Sequence, residues 1–104
     1  MSGFVTVAAV EDLPPGERII AEVNGTWIII LNVDGEYFAV EDLCSHEEYT
    51  LSEGQLDGFS LECPKHGACF DLRHGNPLCP PAITAIKRFA VRVEGGDVQV
   101  GGRL

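Results

Sequence analysis

Four side chains in two short stretches, Cys44 and His46 in "LCSH" and Cys63 and His66 in "CPKHG", have the types and spacing of metal ligands. Each stretch offers one soft thiolate and one borderline imidazole from a single loop, and sixteen residues separate the first pair from the second. Gly54, Gly58, Pro64 and Gly67 lie close by and permit the tight turns that bring such ligands together. A tetrahedral zinc ion accepts two cysteines and two histidines, but zinc modules more often pair like with like, a Cys-x-x-Cys followed by a His-x-x-x-His. One ligand of each type per loop suits a two-iron, two-sulfide cluster better, one iron taking both thiolates and the other both imidazoles. A zinc-stabilised interaction module remains the alternative on the residues alone.

Such loops need a rigid frame, and the rest of the sequence supplies one. Asn24-Gly25, Asp34-Gly35 and Gly95-Gly96 each separate two apolar runs and predict tight β-hairpins. The stretch Ile86 to Val93 alternates for most of its length, placing Ile86, Phe89, Val91 and Val93 on a buried face against Lys87, Arg88 and Arg92. The run Ile28 to Leu31 does not alternate, which predicts a central strand covered on both faces. Trp27 is expected in the core beside it. No window of eleven or more residues has helical periodicity, and Pro14-Pro15-Gly16 ends any short turn begun at Glu11-Asp12. Between about residues 42 and 82, Gly and Pro become frequent and the predicted strands short, as in a loop-rich insert carried on a β framework.

Composition restricts the partners. A chain of 104 residues with 45% hydrophobic and 22% charged residues predicts one globular domain, residues 1–104. Its net charge of −9 disfavours nucleic acid and anionic membrane surfaces and favours a partner with a basic face. The longest apolar run, Trp27 to Leu31, is far shorter than the roughly 20 residues a membrane helix needs. No export signal is evident, so the expected compartment is the reducing cytoplasm, where four cysteines favour metal over disulfides.

The ligand pattern and its surroundings, "LSEG" at 51–54, "FDLRHGNPLCPP" at 70–81 and "IKRFAVRVEGGDVQV" at 86–100, resemble the Rieske ferredoxins of bacterial aromatic-ring-hydroxylating dioxygenase systems. The resemblance implies an all-β Rieske fold: an antiparallel β-sandwich framework with a loop-rich cluster-binding subdomain at about 42–82. It implies one [2Fe-2S] cluster, with Cys44 and Cys63 on the buried iron and His46 and His66 on the outer one. It implies a carrier without catalytic residues, passing single electrons from a flavin-dependent NAD(P)H ferredoxin reductase to the Rieske centre of a terminal oxygenase; a monomer is expected, though the sequence itself does not reveal self-association. A catalytic oxygenase subunit would also need a mononuclear iron on two histidines and a carboxylate. Only His74 remains once the cluster has taken two of the three histidines.

High-potential respiratory relatives carry an extra cysteine in each ligand loop, where this chain has Tyr49 and Lys65, and a serine and tyrosine where it has Ala68 and Phe70. Without those hydroxyls on sulfur, the expected potential lies low in the Rieske range, about −150 mV and not about +300 mV. Cys69 and Cys79 match no ligand position and are expected to be free thiols filling small gaps. His74 is expected to be a solvated turn residue, Phe70 to pack beside the cluster loop, and Pro80-Pro81 to shield the cluster or simply break a strand. Glu47, Glu48, Glu53 and Asp57 can steer a basic partner.

Overall fold

Three two-residue turns organise the framework, each with backbone dihedrals that L side chains rarely adopt: φ is positive at Asn24 and Gly25, at Asp34 and Gly35, and at Gly95 and Gly96. The computed structural model describes residues 3–43, 51–64, 67–79 and 85–104. The first turn joins β2 (Arg18–Val23) to β3 (Thr26–Val33) and the second joins β3 to β4 (Glu36–Glu41). The third joins β9 (Arg88–Glu94) to β10 (Asp97–Arg103), and β1 (Val5–Ala9) pairs with β10. These form a six-stranded antiparallel sheet in the order β1-β10-β9-β4-β3-β2. The short strands β5 (Gln55–Asp57), β6 (Ser60–Glu62), β7 (Cys69–Asp71) and β8 (Pro77–Cys79) form a second antiparallel sheet in chain order. The expected all-β architecture of antiparallel sheets is the one observed, and the described residues contain no α-helix, only a 3-10 turn at Val10–Asp12 just before the prolines.

Two hydrophobic cores meet at β3. Ile28 and Ile30 join Leu13, Ala39, Val98 and Val100 in a core built on the six-stranded sheet. Ile29 and Leu31 point the other way, with Val40, onto Leu51, Leu61, Phe70 and Leu72 of the second sheet and its loops. All four residues of the run are buried, as its unbroken apolar character predicts. Asn32 is the buried polar residue of β3. Its Nδ2 donates to the Leu13 carbonyl at 2.9 Å and its Oδ1 accepts from the Gly35 N–H at 2.7 Å, so it is satisfied while pinning the segment before Pro14 to the β3–β4 turn.

Two expectations fail at strand ends. Trp27 is 56% exposed because it lies next to the edge hairpin, paired with exposed Glu22, beyond the reach of the second sheet. Val93 is half exposed for a similar reason, being next to last in β9 where the strand runs out into its glycine turn.

Candidate metal centre

Of the four predicted ligands the described residues include Cys63; Cys44, His46 and His66 lie outside them, as do Glu47, Glu48, Tyr49, Lys65, Pro80 and Pro81. Cys63 directly follows β6 and is fully buried, packed among Leu61, Ala68 and Phe70. Its N–H donates to the Ala68 carbonyl at 2.6 Å, and its carbonyl accepts from the Gly67 N–H at 3.0 Å. These bonds close the second ligand stretch into a tight loop, completed by positive φ at Gly67. A thiol sealed in an apolar wall at the base of a closed loop fits the sulfur-liganded, inner side of a two-iron cluster. Ala68 and Phe70 are both fully buried, so Phe70 packs behind this loop as expected.

The first ligand stretch is held at its ends. Asp42, two residues before Cys44, accepts through Oδ1 from the N–H groups of Leu51 and Ser52, both at 2.8 Å. Its own N–H donates to the Trp27 carbonyl at 2.9 Å, which anchors the loop entrance to β3. At the exit, Arg18 Nη1 donates to the carbonyls of Ser52 at 3.2 Å and Gly54 at 2.7 Å. Gly54 is needed here, because a Cβ at that position would fall onto the Glu62 carbonyl of β6. Sequence reasoning missed Asp42 and Arg18. An aspartate just ahead of a ligand loop is a usable signal, since its short carboxylate often caps backbone amides; nothing marks Arg18, whose partners are carbonyls far along the chain.

A third bracket lies at Asp71–Asn76. The buried Asp71 carboxylate accepts from the Arg73 N–H at 2.8 Å, from Arg73 Nε at 3.1 Å and from Arg73 Nη2 at 2.8 Å. The Arg73 guanidinium holds the Asp71 carboxyl down at about 2, against the opposing effect of burial. That guanidinium also lies over the Phe59 ring, 4.7 Å from its centroid. Nε2 of His74 lies 3.3 Å from Asp71 Oδ2, while its Nδ1 accepts from the Asn76 N–H at 3.3 Å. His74 is therefore an exposed turn residue, as expected, but one tied into the turn. Arg88 Nη1 donates to the Arg73 carbonyl at 2.7 Å, joining this turn to the start of β9.

Cys69 and Cys79 are free thiols. Cys69 is buried and Cys79 partly exposed, and both line a cavity of about 880 Å³ beside Arg18, Ser60 and Glu62. Burial and the adjacent Cys79 thiol push the Cys69 thiol up to about 11. Among the described residues no three His, Cys, Asp or Glu side chains are arranged to hold a metal elsewhere.

The profile of the Rieske [2Fe-2S] domain family matches residues 3–90. The biphenyl dioxygenase ferredoxin subunit of Pseudomonas sp. (strain KKS102) is 41% identical over 98 residues, which is 93% of this chain and 90% of that protein. Among solved structures, the ferredoxin of carbazole 1,9a-dioxygenase from Nocardioides aromaticivorans IC177 superposes with a TM-score of 0.91 at 30% identity, covering 97% of this chain and 99% of that one. A chain in a complex of reduced oxygenase and oxidized ferredoxin of carbazole 1,9a-dioxygenase gives 0.90 at 34% identity, covering 98% and 95%. The chain belongs to the Rieske [2Fe-2S] domain family, among relatives that are ferredoxin components of aromatic dioxygenase systems and not catalytic oxygenases. It carries one Rieske-type [2Fe-2S] cluster, which supplies a one-electron acceptor whose formal charges cancel when both irons are ferric.

Proposed function

We propose that this protein is the ferredoxin of an aromatic-ring-hydroxylating dioxygenase system, receiving single electrons from a flavin-dependent NAD(P)H reductase and delivering them to the Rieske centre of a terminal oxygenase. The observation that carries the reading is similarity to dioxygenase ferredoxin subunits along nearly the whole chain, at 41% identity over 93% of it. Cys44 and Cys63 hold the inner iron, and His46 and His66 the outer one, within a subdomain at about 42–82 of a single domain spanning 1–104. The buried position of Cys63 supports the inner assignment. The chain's own part in the transfer is positional. Asp42 and Arg18 tie down the residues that flank the first ligand stretch, and the Cys63–Ala68 hydrogen bond ties the two flanks of the second together. Imidazole N–H groups at the rim are suited to donate hydrogen bonds to a docked oxygenase.

No helix among the described residues is long and apolar enough to cross a membrane, and we place the carrier in the cytoplasm as a monomer. The test is reconstitution with reductase and oxygenase components of an aromatic dioxygenase, scoring hydroxylated product. Product formation that depends on this protein, together with a Rieske-type paramagnetic signal after reduction, is the expected result. Product formed equally well without it, or a colourless zinc protein, would remove the assignment.

A further inference from the structure

The β7–β8 register sets Cys69 directly opposite Cys79. Opposed residues of an antiparallel pair share a face and have Cα atoms about 4.5–5.5 Å apart, inside the range of about 4.4–6.8 Å that a disulfide spans. Cys69 Sγ donates to the Gly67 carbonyl at 3.3 Å. Cys69 is buried and Cys79 partly exposed, and both face the cavity of about 880 Å³. That cavity gives a small oxidant access to a thiol pair already in bonding register. The pair also has a telling position in the chain. Cys69 begins β7, just after the Cys63–Ala68 loop, and Cys79 ends β8, immediately before Pro80-Pro81.

We propose that Cys69 and Cys79 are a peroxide-oxidisable dithiol that forms a reversible cross-strand disulfide, fastening the second ligand loop from outside the cluster's own ligand set. The more exposed Cys79 sulfur, as thiolate, attacks one oxygen of hydrogen peroxide. The O–O bond breaks, the departing hydroxide takes up the thiol's proton as water, and Cys79 is left as a sulfenic acid. The Cys69 sulfur then attacks Cys79, the S–O bond breaks, the S–S bond forms, and a second water leaves. Overall two thiols and one peroxide become one disulfide and two waters, sulfur losing the two electrons that peroxide gains. A dithiol reductant reverses the step by exchange.

The test uses the cluster-loaded protein under anaerobic conditions, treated with hydrogen peroxide, alkylated with N-ethylmaleimide and mapped by peptide mass spectrometry. Cys69 and Cys79 are expected to leave the alkylatable pool together and to appear as one linked peptide pair within one chain. Dithiothreitol restores both thiols while the visible spectrum persists. In Cys79→Ser, which alters a partly exposed residue, no linked peptide forms and the cluster spectrum is unchanged. Separate alkylation of both thiols after oxidation, sulfinic acid without linkage, or linkage only between chains would each overturn the proposal. Alkylation of Cys44 or Cys63 before any oxidant is added would instead overturn the ligand assignment, and with it the claim that this cross-link is independent of the cluster.

Discussion

Ala68 has a buried methyl group, and its carbonyl accepts the short hydrogen bond from Cys63, so a hydroxyl added here would enter an environment with little water. In Ala68→Ser, a hydroxyl that reaches the bridging sulfide would favour the reduced cluster by about 1 kcal/mol, or about 40 mV for one electron. Voltammetry of wild type and variant checks this, and an unchanged potential would argue against the loop alignment. Asp71 makes a prediction of another kind. Its carboxyl titrates at about 2 in the folded protein against an ordinary value of 3.8, chiefly through the Arg73 guanidinium. The associated stabilisation is present in full above the ordinary value and disappears as pH falls through the folded one. Asp71→Asn should therefore cost about 1–3 kcal/mol near neutrality, towards the lower end because Arg73 is 56% exposed. Urea denaturation should show the gap between the two proteins narrowing below about pH 4.

Strand β3 has contrasting residues at its middle and at its end. Ile29 is fully buried between sheets whereas Trp27 is largely exposed, so Ile29→Ala should cost about 2–5 kcal/mol and Trp27→Ala under about 1 kcal/mol. Chemical denaturation of both variants would measure the difference. The hairpins around β3 were readable in the sequence because Asn24-Gly25 and Asp34-Gly35 satisfy a backbone demand few residue types can meet. The two dry faces were readable because four consecutive apolar residues leave no solvent side. Trp27 misled because local hydrophobicity does not say where the covering sheet stops. Asp42, Arg18 and Asn32 were invisible for a related reason: they bind backbone groups that only the assembled fold brings near. The ligand spacing stood out because few other arrangements need thiols and imidazoles together, whereas the direct opposition of Cys69 and Cys79 depends on a register with an irregularity beside it.

At the scale of the whole molecule, net charge bears on how partners meet. The net charge is −9, and Glu53, Asp57 and Glu62 are exposed in the half that bears the ligand loops. Attraction to a basic partner surface is screened beyond about 8 Å at physiological salt. Stopped-flow electron-transfer rates should fall with rising ionic strength at low concentrations of both proteins, and rates indifferent to salt would remove acidic steering. A last consequence comes from the strand shared by the two cores. With Ile28 and Ile30 facing one interior and Ile29 and Leu31 the other, neither half can melt and leave its neighbour intact. On anaerobic heating, bleaching at visible wavelengths and loss of the far-ultraviolet β signal should share a single midpoint, making the colour of a sample a gauge of how much of it is still folded.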